Sequence, residues 1–511
     1  LDRSMSGVAV ASGSQLAADA GAAVARAGGN AVDAAISAVL TSMTTEPGVC
    51  SLGASGFVTV GPSGGEPVTI EGYAAMPGLG LPREALGQNA WEIEMGYGGG
   101  MKTIIGFGSV AVPGAVAALG HASREYGRLP WREVVMPAVE IHRAGFPMPS
   151  SCRHYMEFAA EPIYGWEPES RPIFRDGDGR IVDAGAIVTV PGLADTLAII
   201  AEEGPESFYT GDLGHRLADY VTDNGGALTR RDLAEYAVSE STSLSIDLDD
   251  WRISTSPAPA GGGAARAAML TLMREASHGG WTADMVARGV DIQRRVIAYR
   301  KRILDRTDDL EAAIGELLRE ARDLHLPLSA DTVHTSAVDG EGTGCSITMS
   351  AGYGAGVLPP GTGCWLNNSL GEVELNPDGL KIVEPGTRLS SNMAPTVARR
   401  ADGKVMAIGS PGADRITTAI FQVLVNYIHF GMPLADAVAH ARAHVEQVDD
   451  GFRVAIEPGL PRERITLPQR PFDSPSMYFG GAAAASWSPE SGFEVAGDPR
   501  RKGGTAIVAT D

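Results

Sequence analysis

Cysteine is scarce in this chain. Four occur among 511 residues, Cys50, Cys152, Cys345 and Cys364, and no two form a C-x-x-C pair. That excludes a disulfide scaffold and the usual zinc and haem spacings, and leaves the four as small buried hydrophobes. Positive charge is short as well: 41 Lys and Arg stand against 62 Asp and Glu, a formal charge of −21. Nucleic acid and anionic membranes both need clustered positive charge, so neither is expected as a partner. No run of about 18 uncharged apolar residues occurs, so no membrane-spanning helix is expected. Aromatic residues make up only 6%, against 65 glycines and a hydrophobic content of 44%. The core is therefore expected to rest on small and aliphatic side chains, with many tight turns. The length fits two to four domains or one large α/β unit. The chain begins at Leu1 rather than Met. The expectation is that a preceding segment is missing, which leaves the compartment open between cytoplasmic and exported.

Common catalytic signatures are missing too. Gly-x-Ser-x-Gly occurs once, at Gly61-Pro62-Ser63-Gly64-Gly65. A strand pattern, Val68-Thr69-Ile70, follows it where a nucleophile turn needs a helix, so a hairpin turn is expected. Gly106-Phe107-Gly108 precedes an apolar strand rather than following one, which fails the dinucleotide context. His440 and His444 stand four apart on an expected helix, a zinc-compatible spacing. No Glu follows His440 and no third ligand is evident, so no metal and no organic cofactor is expected.

What is present is a long α-rich segment followed by a β-rich one. Ser14 to Ala27 reads as a helix with a Ser cap and a Gly28-Gly29 stop. Asn30 caps a second, in which Val32, Ile36, Val39, Leu40 and Met43 recur at helical spacing. A strand at 57–60 follows, and Gly96 to Gly100 reads as a flexible loop tip. Further helices are expected at 193–203, 208–224, 229–236, 264–276, 292–306 and 310–324. The pattern then changes at Asp331-Thr332-Val333-His334-Thr335-Ser336-Ala337-Val338-Asp339-Gly340. Val333–Val338 and Cys345–Met349 read as a hairpin. Strands at 396–398 and 405–408 follow, then Gly409-Ser410-Pro411-Gly412-Ala413 and a helix from about 415 to 430.

Thr332 opens that hairpin. A strand-edge threonine can become a nucleophile if the bond before it is cut, because its own α-amino group is then free. Such an amine has a pKa near 8 and can serve as general base for the hydroxyl of the same residue. The remaining need is an oxyanion hole, and backbone N–H groups ahead of a helix supply one. Gly412 and Ala413 stand in that context. Alone, the pattern is also that of an ordinary strand threonine.

Several strings together resemble the γ-glutamyltranspeptidase family of N-terminal nucleophile hydrolases, in order along nearly the whole chain. They are Gly28 to Ala35, Leu197 to Tyr209, Asn224 to Tyr236, Ser256 to Gly263, Thr332 to Asp339, Pro360 to Gly363, Asn367-Asn368, Leu389 to Ser391 and Gly409 to Gly412. The resemblance implies a four-layer αββα sandwich and a precursor cut between Asp331 and Thr332. The products would be a large segment, 1–331, and a small one, 332–511, that stay together as one unit. It implies Thr332 as nucleophile, Gly412 and Ala413 as oxyanion hole, and Ser350 where the family has a second Thr. Ser390 and Ser391 match the pair that holds a substrate carboxylate, but Tyr73 stands where the family has an Arg. On the ammonium side, Gly352 replaces an Asn, Ser369 opens the matching run, and only Glu372 keeps a carboxylate. The expected substrate is a small amino-acid-like molecule, not a standard glutathione. The resemblance leaves three alternatives: a cephalosporin-acylase-type amidase, a homologue from alkylproline or pyrrolobenzodiazepine antibiotic biosynthesis that hydrolyses a C–C bond, or a non-catalytic binding homologue. It leaves a higher oligomer open.

Overall fold

The computed structural model describes residues 6–510 apart from 98–99, 275, 300–309, 321–331, 374, 377–378, 413–414 and 449–450. Two antiparallel sheets face each other. In chain order their strands are β1 (Ser6–Ser12), β2 (Ser55–Gly61), β3 (Val68–Gly72), β4 (Ser239–Thr242), β5 (Leu244–Leu248), β6 (Trp251–Thr255), β7 (Val333–Asp339), β8 (Gly344–Ser350), β9 (Thr396–Arg400), β10 (Val405–Gly409), β11 (Ala483–Ser488), β12 (Gly492–Gly497) and β13 (Gly504–Thr510). The first sheet runs β13-β1-β7-β8-β2-β3-β4 and the second β12-β11-β10-β9-β6-β5.

Helices α1 (Gln15–Arg26), α2 (Ala31–Thr45) and α3 (Ala115–Tyr126) cover the outer face of the first sheet. Helices α4 (Gly261–Met273) and α6 (Arg415–Leu424) cover the second, with α5 (Ala283–Tyr299) packed on α4. Between the sheets lies a small core of Ala9, Val338, Val397, Val405, Ala407, Ala485 and Trp487. The result is a four-layer αββα sandwich. Strands from both sides of residue 332 contribute to each sheet, interleaved in the first and side by side in the second, where β9 pairs with β6.

Local chemistry explains the first layer. Ser14 accepts the Ala17 N–H and starts α1. Asn30 and Asp33 close a capping box at α2, and Asp33 also accepts the N–H groups of Arg128 and Leu129. The string at 28–35 therefore fixes packing.

Several elements depart from expectation. The 292–306 helix is α5, which starts at Ala283, because Met285, Val286, Val290, Ile292, Val296 and Ile297 form one buried stripe; residues 300–306 lie outside the described residues. The helix expected to reach 324 spans Leu310–Glu320, and 321–324 lie outside them as well. The 415–430 helix is α to Leu424 and then turns π over Val425–His429. His440 and His444 do not share a helix. The helix Leu434–Ala439 ends before His440, and His444 sits on the strand Ala443–Val448 with Nδ1 3.0 Å from Thr418 Oγ1. The Gly61–Gly65 string is the expected turn between β2 and β3.

One buried group gives the fold a pH dependence. His142 packs edge-on against Phe146, with ring centroids 5.2 Å apart, and neither ring nitrogen has a hydrogen-bond partner. Burial pushes its pKa down to about 4. The folded chain keeps it neutral, whereas the unfolded chain protonates it near 6.5. Stability is therefore lost as pH falls below about 6.5, by up to about 1.4 kcal/mol per unit. His142→Phe should remove that share, so urea midpoints at about pH 7.5 and about pH 5 should differ less than in the wild type, by about 2 kcal/mol. An unchanged pH response would contradict it.

Candidate active site

β7 is buried along its whole length. Val333 and Ala337 join the core under the first helical layer, whereas Val338 joins the core between the sheets. By the two-residue period of a strand, His334 and Ser336 share the inner face with Val338. Thr332, two residues before His334, falls on that face too. The β7–β8 register runs from Val333↔Met349 to Val338↔Gly344. One step further sets Thr332 opposite Ser350. Side chains directly opposed in an antiparallel pair have Cβ atoms about 4.5–5.5 Å apart.

Thr332 and Ser350 line one cavity, with Tyr73, Glu372 and Ser391 in its wall beside Leu375, Asn392, Met393 and Ile416. Its volume is about 190 Å³ including solvent at the mouth. The space it leaves for a water-sized centre is about 10 Å³, far below the roughly 300–1,000 Å³ of drug-sized pockets. The apolar members and Asn392 carry no sequence signature of chemistry. Asn392 and Met393 could have been found only by adjacency to the serine pair, and Ile416 by its place in the first turn of α6.

His334 is the only histidine next to this site in sequence. Its ring lies 2.8 Å from both Thr348 Oγ1 and Ser336 Oγ. Ser336 Oγ donates to the Ala483 carbonyl at 3.1 Å, so it accepts from Nε2–H, and Nδ1 accepts from the Thr348 hydroxyl. Burial lowers its pKa to about 3. A Cβ on Gly409 would sit 2.3 Å from the ring, so the ring also needs that glycine. With both nitrogens engaged, His334 is a structural stitch between β7 and β8.

The position of Tyr73 is fixed from several sides. Its N–H donates to Glu71 Oε1 at 2.6 Å, its carbonyl accepts from Tyr236 Oη at 2.8 Å, and its ring stacks on Phe57 at 5.6 Å. Arg388, which bonds to Glu71 beside Tyr73, approaches Glu71 Oε2 at 2.8 Å and lies over the Tyr236 ring at 4.3 Å. It does not line the cavity. Among the described residues no Lys, Arg or His does.

Gly352 lies beside Glu372. Its φ is +60°, and a Cβ there would stand 2.4 Å from Asn368 Oδ1 and 3.1 Å from the Glu372 carboxyl carbon. Its N–H donates to Ser350 Oγ at 3.0 Å. Ser369 is buried in the turn Ser369–Gly371 with its N–H on Asn367 Oδ1, and is not in the cavity wall. Ser391 is in the wall. Its Oγ accepts the Met393 N–H at 3.2 Å and its carbonyl accepts the Gly262 N–H at 3.3 Å, which ties it to the start of α4. Ser390 is half-buried and outside the wall. Gly412 precedes α6, and its carbonyl accepts the Arg415 N–H at 2.9 Å. Asp331 and Ala413 lie outside the described residues.

A four-layer αββα sandwich, with a cavity at the head of a central strand and a hydroxyl residue in it, defines the architecture of an N-terminal nucleophile hydrolase. Residues 17–508 match the Gamma-glutamyltranspeptidase family model, and the chain belongs to that family. It is 29% identical to the glutathione hydrolase proenzyme of Pseudomonas aeruginosa, over 99% of this chain and 95% of that one. It is 28% identical to the acylase ACY 1 proenzyme of Pseudomonas sp. (strain V22), over 93% and 89%. The solved cephalosporin acylase from Bacillus halodurans superposes with a TM-score of 0.79 at 26% identity, covering 98% and 96% of the two chains.

The packing around Gly352 can be tested directly. Gly352→Ala imposes a left-handed alanine and a contact with Asn368, and should cost about 1–3 kcal/mol in a urea melt. Wild-type stability would show that Asn368 and Glu372 yield without cost.

Proposed function

We propose that this chain is an autoprocessing hydrolase or acyltransferase. Thr332 is its nucleophile and its acyl donor is not a standard γ-glutamyl compound. In the first step the Thr332 hydroxyl attacks the Asp331 carbonyl, and water hydrolyses the resulting ester. This leaves segments 1–331 and 332–511 and a free Thr332 α-amine. In turnover that amine takes the hydroxyl proton as Oγ attacks the donor carbonyl carbon, and returns it to the leaving group. Backbone N–H groups at Gly412 and Ala413 stabilise the oxyanion. Water, or an amine acceptor, then releases the acyl group. The engaged state of His334 supports this choice of base, since it leaves no other titratable base on β7 beside the hydroxyl.

The observation that carries the specificity is the cavity wall: Tyr73 and Glu372 are there and no described cation is. An Arg would hold a substrate carboxylate through a charged, bidentate pair, and a tyrosine offers one neutral hydrogen bond. Glu372 still suits an amine. The donor is thus a small amino-acid-like acyl group whose carboxylate is absent, masked or weakly held. The acylase named among the relatives favours an amide bond as the one cleaved; a C–C bond next to a carbonyl would pass through the same tetrahedral oxyanion.

Intact mass of the purified protein should show two segments, and Thr332→Ala a single chain with turnover reduced about 10⁴-fold or more. An uncut wild type that turns over would end the Thr332 mechanism. A γ-glutamyl anilide should be a poor donor beside a simple acyl anilide. Tyr73→Arg should lower its KM about 10- to 100-fold, the worth of a charge-assisted pair. Fast wild-type turnover of the glutamyl compound would refute the role given to Tyr73.

A further inference from the structure

We propose that Asp249, His278 and His429 form a binding site for a divalent transition metal of the zinc class, away from the catalytic cavity. The three residues come from three segments: the turn between β5 and β6, the loop after α4, and the end of the π turn that follows α6. Their ligand atoms all lie within 4.8 Å of one another. His429 Nδ1 is 3.0 Å from Asp249 Oδ2, and His278 Nε2 is 3.7 Å from Asp249 Oδ1. Two ligands at about 2.0–2.1 Å on a tetrahedral zinc stand roughly 3.3 Å apart, so these spacings bracket the required one.

The tautomer of His429 gives the second observation. Its side chain is fully buried, and Nε2 lies 3.1 Å from the Ala276 carbonyl oxygen. A carbonyl only accepts, so Nε2 carries the proton. In the neutral ring the Nδ1 lone pair then faces the Asp249 carboxylate. Two acceptors at 3.0 Å repel unless a positive centre lies between them. A metal ion satisfies both, and the bond from Nε2–H to a backbone carbonyl is the outer contact that metal-bound histidines usually make. The alternative is a proton, which makes His429 an imidazolium. The His278 ring lies over His429 with centroids 4.0 Å apart. That neighbour brings a third donor from the solvent side.

Asp249 has φ +50°, a left-handed conformation that Asp tolerates, and it turns the carboxylate back from the β5–β6 hairpin toward His429. Two imidazoles and a carboxylate suit zinc, cobalt, nickel or copper better than magnesium or calcium. The open positions are reached through His278, whose side chain is 65% exposed. Such an ion would pin the end of α6, whose first turn lines the catalytic cavity through Ile416, to the second sheet.

The test uses full-length protein stripped with a chelator, dialysed against zinc or cobalt, and measured by elemental analysis and visible absorption. Wild type should retain one equivalent of zinc and give a cobalt d–d band. The Asp249→Asn/His278→Ala double variant should lose both, while its metal-free melting temperature stays close to that of the metal-free wild type. Zinc should raise the melting temperature of wild type only. Wild type that retains no metal would show that a proton alone bridges Asp249 and His429, and the proposal fails. It also fails if the double variant retains the same equivalent.

Discussion

The site depends on one register. Pairing of β7 with β8 sets Thr332 opposite Ser350 and turns both toward the second sheet. A slip of one residue would send every β7 side chain to the opposite face and place Thr332 under the helices. The far end of the hairpin guards against this. Asp339 Oδ1 accepts the N–H groups of Glu341 and Thr343, and Oδ2 accepts the Ala31 N–H at the start of α2. Burial pushes the Asp339 carboxyl above the ordinary range, and those N–H bonds oppose the shift. On the other side β1 pairs with β7 from Val8↔Asp339 to Ser12↔Thr335, and the hydroxyls of Ser12 and Thr335 meet at 2.7 Å. The position of the hydroxyl at one end is thus fixed by a carboxylate at the other.

The space between the sheets is more polar than a sandwich core needs to be. Ser346 Oγ donates to the Ile408 carbonyl and accepts the Thr396 N–H, while Ser336 reaches Ala483 and His334 holds Thr348. Buried polar groups are costly when unpaired and contribute little when paired. Their effect here is on specificity: each bond is made only when the two sheets stack in one alignment. That alignment brings Tyr73, from the end of the first sheet, and Ser391, from the loop before β9, to the same wall.

Much of this was legible in sequence, for identifiable reasons. Caps at Ser14 and Asn30 announce α1 and α2 because they satisfy helix-end N–H groups in any context. The β7–β8 hairpin was legible from its alternation and its Asp-Gly turn. The strands β1, β11 and β13 were not. In β11 the buried run is Ala-rich on both faces, and in β1 Val8 and Val10 alternate with equally buried Ala9 and Ala11, so no polar–apolar period of two marks either strand. The π turn after α6 was hidden because its residues continue the apolar stripe of a helix. Thr332 looked like any strand threonine until ordered family motifs surrounded it. Its place opposite Ser350 follows from pairing, which no single segment contains. Ser390 and Ser391 read as a matched pair, yet only Ser391 faces the cavity, because its carbonyl is tied to Gly262.

The charge pattern around position 73 bears on why the clamp differs. Glu71 is in contact with the Tyr73 N–H, with Ser239 Oγ and with Arg388. Its charge is therefore already balanced by a guanidinium that stacks on Tyr236 rather than reaching the cavity. An additional Arg at position 73 would bring a second positive group to this corner, and a substrate carboxylate would be its natural counter-ion. With Tyr73 there instead, the corner is neutral without a ligand, and an arriving carboxylate would lose water for a single hydrogen bond. Buried charge is tolerated when it is paired. Under the proposed function, the Glu71–Arg388 pair behind Tyr73 would disfavour a substrate carboxylate there and leave Glu372 as the described charged group of the cavity wall.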